Sequence, residues 1–187
     1  MSARSRWIAG ATFLVVALAV LPLVAPSIAR SGDDDAVRVE RMYEDYKERS
    51  FAELPDVEVA RAAALADSLA ATDATGDDVV WLDVRDARER RISVLPGAID
   101  RETYEDRREE LAGRPVIVYC TVGYRSGLAA RDLRRQGVDA HNLAGGILAW
   151  AHADGEVLDG RTGEPTRRVH VYGWRWNLLP DGWKAVW

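Results

Sequence analysis

The sequence predicts an α/β fold in which helices flank a parallel β-sheet and a ligand-binding loop lies at the carboxyl end of one strand. Three short apolar runs predict the strands: Val79–Val84, Val116–Cys120 and the weaker Val138–Leu143. They are too short and too rich in β-branched residues for helices, and they resemble strands that are covered on both faces. Ser126–Gln136 has helical composition and Gly137 follows it at a C-cap position, so the second and third strands form a βαβ unit.

Length and composition limit the classes of protein that the chain can belong to. Its 187 residues, with 48% hydrophobic residues and a net charge of -5, predict one compact domain with appendages. The single cysteine rules out a disulfide scaffold, a zinc ribbon or an iron–sulfur protein as a self-contained unit. The three histidines lack the spacing of a metal site, so we expect no metal and no organic cofactor.

The N-terminal 30 residues carry a long apolar segment. Trp7–Ala29 holds 23 residues without a charge, which is long enough for a helix to cross a membrane. The segment favours an uncleaved signal anchor, and it also fits a signal peptide cleaved near Ala29. In both interpretations Arg4 and Arg6 precede the segment and acidic residues follow it, which predicts membrane contact through residues 7–29 and an extracytoplasmic body.

The rest of the chain divides into three predicted parts. Residues 31–78 form a helical N-terminal arm, with helices over Val37–Arg49 and Val57–Ala71, and residues 79–153 form the α/β domain. Residues 154–187 are an aromatic-rich extension in which RRVHVYGWRWNLL favours a strand or hairpin edge. Its aromatic side chains either pack on the domain or form a surface for a partner or a membrane interface.

The body is acidic, which bears on its partners. Residues 31–187 contain 22 lysines and arginines against 30 aspartates and glutamates, a net charge of -8. This balance disfavours non-specific binding to nucleic acid, so we expect no nucleic-acid partner.

The sole cysteine lies where open α/β sheets bind their ligands. Cys120 ends a predicted strand, and the loop after it leads directly into a helix. Successive backbone N–H groups in such a loop, the helix dipole and the Arg125 charge together favour the thiolate over the thiol. The predicted binding residues are those of this loop: Thr121, Val122, Gly123, Tyr124, Arg125 and Ser126.

The motifs around this loop resemble the single-domain rhodaneses, or thiosulfate sulfurtransferases. Four segments carry the resemblance over about residues 79–152, in the family's order: WLDVRDARE, LPGAI, CTVGYRS and NLAGGILAW. The resemblance implies that Cys120 is a nucleophile that becomes a persulfide, that the loop cradles it, and that Arg125 closes an anion site. It also implies that Asp83 and Arg85 support the loop scaffold.

Two local features refine this resemblance. Family members often have a polar residue such as histidine before the PGA motif, whereas this chain has Ser93, Val94 and Leu95, so no substrate contact is expected from that position. Four residues separate Cys120 from Arg125, whereas related phosphatases and arsenate reductases have five. The shorter loop favours a small sulfur atom over a tetrahedral oxyanion.

The sequence therefore predicts a sulfurtransferase that moves a sulfane sulfur from thiosulfate or a similar small donor to a thiol or cyanide acceptor through a Cys120 persulfide. The alternative is a non-catalytic persulfide carrier, or a redox-sensing module that binds a partner protein.

Overall fold

A parallel sheet forms the centre of the protein, as predicted, and it has two short edge strands besides the three that the sequence predicted. The computed structural model describes residues 32–64 and 79–187. The strand order is β1-β5-β4-β2-β3, and every neighbouring pair is parallel. The strands are β1 (Asp56–Val57), β2 (Val80–Asp83), β3 (Ile99–Asp100), β4 (Val116–Tyr119) and β5 (Ala140–Leu143).

Helices cover both faces of the sheet. They are α1 (Gly32–Ser50), α2 (residues 59–64), α3 (Ala87–Arg90), α4 (Arg101–Asp106), α5 (Tyr124–Arg135) and α6 (Gly146–His152). All four residues of β4 are buried: Val116 and Val118 join the apolar core on one face, and Ile117 and Tyr119 join the core on the other. This arrangement explains why the strand is apolar at every position.

The N-terminal arm differs from the prediction in two respects. Its first helix is longer than predicted and includes Gly32–Asp35, and it packs against α5 and α6. The segment predicted to resume as a helix at Val57 instead begins with the edge strand β1, which pairs with β5 through Asp56 and Val57. A two-residue strand leaves too little alternation to be visible in a sequence.

The C-terminal extension lies on the sheet domain. Strand β6 (Val157–Leu158) pairs antiparallel with β7 (Pro165–Thr166), and β8 (Arg168–His170) pairs parallel with β9 (Lys184–Val186). A 3-10 helix, Trp174–Trp176, lies between the last two strands. The strand prediction for this segment is correct for β8, and the residues after it form the 3-10 helix.

Tryptophans of this extension face two environments. Trp176 and Trp183 pack against the core, whereas Trp174 and Trp187 are 67% and 68% exposed. Packing on the domain is one of the two predicted roles of these aromatic side chains, and it therefore applies to only some of them.

The predicted apolar segment at residues 7–29 lies outside the described residues. Within residues 32–64 and 79–187, no helix has the length and apolar character needed to cross a membrane.

Candidate active site

The cysteine loop folds back over its own sulfur. Cys120 directly follows β4, and the loop closes into α5 at Tyr124. The Cys120 Sγ accepts a hydrogen bond from the Gly123 N–H at 3.2 Å and another from the Ser126 hydroxyl at 3.3 Å. Both donors point at the place where negative charge on sulfur would develop, so the loop stabilises a sulfur anion.

Glycine is needed at the turn of this loop. Gly123 has φ +99°, and a Cβ placed there would lie 2.6 Å from the Tyr43 ring. Any other residue would face both backbone strain and a steric clash. The position therefore requires both a positive φ and a close approach of the backbone to a neighbouring side chain.

The loop is held from behind by β5 and α6. The buried Asn142 donates through its Nδ2 to the Gly123 carbonyl at 2.9 Å. The first backbone N–H groups of α6, those of Ile147 and Leu148, donate to the carbonyls of Cys120 and Thr121 at 2.9 and 3.1 Å. These bonds hold the carbonyls of Cys120, Thr121 and Gly123, and the Gly123 N–H donates to the sulfur.

A small cavity of about 220 Å³ leads to the cysteine. Four predicted loop residues line it beside Cys120: Thr121, Val122, Tyr124 and Arg125. Its remaining walls come from outside the loop and are aromatic: Tyr46 of α1, and Tyr172 and Trp176 of the C-terminal extension. Cys120 is only 1% exposed, so a reactant reaches the sulfur through this cavity.

Arg125 has a partner that the sequence analysis did not identify. Its two terminal nitrogens donate to the two carboxylate oxygens of Glu89, each at 2.8 Å. One of them also lies 3.2 Å from the Thr121 hydroxyl, and the Tyr172 ring centroid lies 5.0 Å from the guanidinium carbon. The arginine lies at the predicted site, but in a bidentate ion pair.

Glu89 is fully buried and binds four other residues. Besides Arg125, its carboxylate accepts hydrogen bonds from the Thr121 hydroxyl at 3.0 Å, the Asp86 N–H at 2.9 Å and the Tyr172 hydroxyl at 3.4 Å. Burial alone would raise the pKa of Glu89, but the bonds from Arg125 and Asp86 outweigh it and lower the pKa to about 2. Glu89 is therefore ionised and neutralises the charge of Arg125.

Asp83 and Arg85 lie behind the site. Arg85 binds the Asp83 carboxylate through its Nε and Nη2, and the Nη2 also donates to the Ser93 carbonyl at 2.6 Å. The Tyr119 hydroxyl donates to Asp83 at 2.7 Å and accepts from the Leu95 N–H at 3.1 Å. The pair thus connects β2, β4 and the segment before β3, a position suited to the supporting role that the resemblance implies.

Sequence analysis missed four residues that help to form the site: Glu89, Tyr46, Tyr172 and Trp176. Glu89 lies three residues after Asp86, a pattern typical of a helix start, and nothing in that pattern reveals its burial. The three aromatic residues lie in segments predicted as an arm and an extension, with no local signal that they meet at the cysteine.

Comparison with known proteins agrees with the observed fold. Residues 65–153 match the family model of the rhodanese-like domain. The solved thiosulfate sulfurtransferase of Pseudomonas aeruginosa superposes with a TM-score of 0.52 and 24% identity, covering 70% of this chain and 24% of that one. This similarity shows the fold.

Relatives with higher sequence identity are named as hydroxylases of transfer RNA and not as sulfurtransferases. The tRNA uridine(34) hydroxylase of Burkholderia ambifaria is 33% identical over 132 residues, which cover 58% of this chain and 46% of that protein. The protein of the same name from Paraburkholderia xenovorans is 30% identical over 132 residues, with the same coverage. The chain thus spans less than half the length of these relatives.

Proposed function

We propose that the rhodanese-like domain at residues 65–153 acts as a sulfurtransferase with Cys120 as its catalytic residue. The observation that carries this proposal is that Cys120 lines a small cavity while the Gly123 N–H and the Ser126 hydroxyl donate to its sulfur. Among the described residues, no carboxylate or imidazole forms a hydrogen bond with the sulfur, so a negative charge on it would be stabilised by the Gly123 and Ser126 donors.

Two steps complete the transfer. The Cys120 thiolate attacks the outer sulfur of thiosulfate or a similar donor, the sulfur–sulfur bond of the donor breaks, and sulfite leaves with the electron pair. The cysteine then carries a persulfide whose terminal sulfur is an anion. An acceptor thiolate or cyanide attacks that terminal sulfur and takes it, which returns the Cys120 thiolate.

A persulfide would extend beyond the Gly123 and Ser126 donors, which do not line the cavity. A terminal sulfur added to Cys120 moves the negative charge one atom further into the cavity, toward the loop residues that line it. Burial of Cys120 keeps larger oxidants and thiols away from the sulfur, so a donor or acceptor must present a narrow reactive end.

The test is a thiosulfate:cyanide assay together with intact-mass detection of one added sulfur atom on the protein. Cys120→Ser should abolish both signals and keep the fold, because serine is nearly isosteric with cysteine. Circular dichroism checks the fold of the variant. Sulfur transfer by the serine variant would refute the mechanism.

A persulfide carrier or redox-sensing module is the second candidate. The exposed Trp174 and Trp187 on the C-terminal extension favour it, because exposed tryptophans are typical of protein contact sites. An enzyme turns over with cyanide or a thiol, whereas a carrier forms the adduct once and holds it until a protein partner binds.

Sulfur transfer is proposed in preference to the reaction named for the curated relatives. The chain covers 46% of their length, and its acidic body disfavours a polyanionic substrate. Incubation with transfer RNA, followed by nucleoside analysis, separates the two, since hydroxylated uridine would support the relatives' reaction.

Export of the body is a separate proposal, supported by the charge-free segment at residues 7–29 and the arginines before it. A reporter that works only outside the cytoplasm, fused after Trp187, should be active. Activity of a cytoplasm-only reporter at that position would refute it.

A further inference from the structure

The charge at the mouth of the cysteine cavity is balanced. Among the described residues that line the cavity, Arg125 is the one cation, and both of its terminal nitrogens bind the ionised Glu89 carboxylate. Tyr172 covers the guanidinium at 5.0 Å. A small dianion such as thiosulfate would therefore meet no uncompensated positive charge on this wall and would lose solvation on entry.

Aromatic rings form the outer walls of the same cavity. Tyr46 packs on Tyr124 with ring centroids 4.9 Å apart, and Tyr172 packs on Trp176 at 6.4 Å. All four rings line the cavity. The faces and edges of such rings favour a flat apolar group over a hydrated ion.

The volume of the cavity fits a ring with a small head group. An apolar cavity of about 150 Å³ takes up one benzene molecule. This cavity, at about 220 Å³, exceeds that volume, and Cys120 is among the residues that line it.

Three of these four rings come from outside the matched domain. Tyr46 belongs to α1, and Tyr172 and Trp176 belong to the C-terminal extension, whereas the domain match covers residues 65–153. The two flanking segments therefore add a specificity surface to the cysteine loop.

We propose that this surface selects sulfane-sulfur donors that carry an aromatic group, namely organic thiosulfonates, in preference to thiosulfate. The proposal rests on the sulfurtransferase function proposed above. The Cys120 thiolate attacks the terminal sulfur of the thiosulfonate, the sulfur–sulfur bond breaks, and the aryl sulfinate leaves with the electron pair while Cys120 becomes a persulfide. The ring lies between the aromatic walls and positions the terminal sulfur at Cys120.

The experiment compares three donors: benzenethiosulfonate, methanethiosulfonate and thiosulfate. The full chain is mixed with each donor, and persulfide formation is followed by intact mass. Each rate is divided by the rate of the same donor with free cysteine, so that intrinsic reactivity cancels. We expect benzenethiosulfonate to exceed the other two by at least about tenfold, the effect of burying one ring.

Two variants test whether the aromatic side chains of the cavity cause the donor preference. Tyr172→Ala should lower the ratio of benzenethiosulfonate to methanethiosulfonate by about three- to tenfold, the range expected for one aromatic contact. Trp174→Ala is the matched control: Trp174 lies on the same 3-10 helix as Trp176, is 67% exposed and is absent from the cavity wall, so the ratio should stay within about twofold.

The outcomes separate this proposal from the one on which it rests. Persulfide formation with thiosulfate at a rate equal to or above that with benzenethiosulfonate overturns the specificity proposal and leaves the sulfurtransferase standing. Persulfide formation with none of the donors overturns both. If Tyr172→Ala fails to fold, Tyr172→Leu and the three-donor comparison on the natural chain decide the question.

Discussion

Two arginine–carboxylate pairs flank the cysteine loop, and they differ in exposure and in what they connect. The Asp83 and Arg85 side chains are 1% and 0% exposed, and the pair links strands to the segment before β3. The Glu89 side chain is also fully buried, but that of Arg125 is 31% exposed and lines the cavity. One pair is part of the core, whereas the other lies between the core and the reactants.

The difference shows that the same chemical pair can serve two purposes. A fully buried pair is expensive to break, because either partner left alone is an unsolvated charge. When one partner of a pair lines a cavity, a change of the buried partner alters the net charge that a ligand in the cavity meets. Stability should therefore depend mainly on Asp83–Arg85, and donor preference mainly on Glu89–Arg125.

The largest expected effect is on the core pair. Arg85→Leu leaves the Asp83 carboxylate buried without its partner and should lower the free energy of unfolding by about 3–5 kcal/mol. Arg88→Leu is the control, because its 3.5 Å pair with Asp86 is exposed and should contribute less than about 0.5 kcal/mol. Denaturant unfolding measures both. Similar losses of unfolding free energy for the two variants would contradict the predicted difference between the buried pair and the exposed pair.

The next effect concerns Glu89. Glu89→Gln keeps the shape of the side chain but removes the charge that balances Arg125, so it should lower the free energy of unfolding by about 2 kcal/mol. It should also raise the rate with thiosulfate relative to that with benzenethiosulfonate, since Arg125 then carries an unbalanced charge. Glu102→Gln, on the exposed face of α4, is the control for both measurements. An unchanged donor ratio would mean that the Arg125 charge does not affect donor choice.

The pH dependence of stability should reveal the same carboxylate. The pKa of Glu89 falls from 4.5 to about 2 on folding, so its stabilising contribution is complete above about pH 4.5 and is lost as pH falls toward 2. Over that window the natural chain should lose more stability than Glu89→Gln. Unfolding measured at several acidic pH values tests this, and parallel profiles for the two proteins would contradict it.

The smallest expected change in stability comes from Arg125→Lys. Lysine keeps the charge but cannot place two donors on both Glu89 oxygens, so we expect a loss of about 1 kcal/mol in stability. Sulfur transfer should fall more, because the amine also loses the contacts with Thr121 and Tyr172. Transfer at the natural rate would show that only the charge at this position matters.

The cysteine loop was predictable from the sequence because its signals are local. The apolar run before Cys120, the glycine at position 123 and the helix after it are close together in the chain, and each has a direct structural meaning. The ionised state of Glu89 is different, because it depends on a partner 36 residues away and on burial.

The C-terminal extension also shows that sequence patterns do not predict contacts between residues far apart in the chain. Its aromatic composition predicted either packing or a contact surface; in the described residues Trp176 packs on the core and Trp174 is exposed, so the contact surface stays a prediction. Tyr172 covers Arg125 because of the position of β8, which precedes it, on the sheet domain. No residue spacing in the sequence predicts that position.

The sequence by itself determined the parallel sheet, the place of the cysteine at a strand end and the loop that donates to it, because periodicity, glycine positions and helix starts act over a few residues. Only the tertiary structure decided that Glu89 neutralises Arg125 and that Tyr46, Tyr172 and Trp176 surround the cysteine. Electrostatic balance and the shape of a cavity depend on distances between residues far apart in the chain, and those distances exist only after the segments have packed.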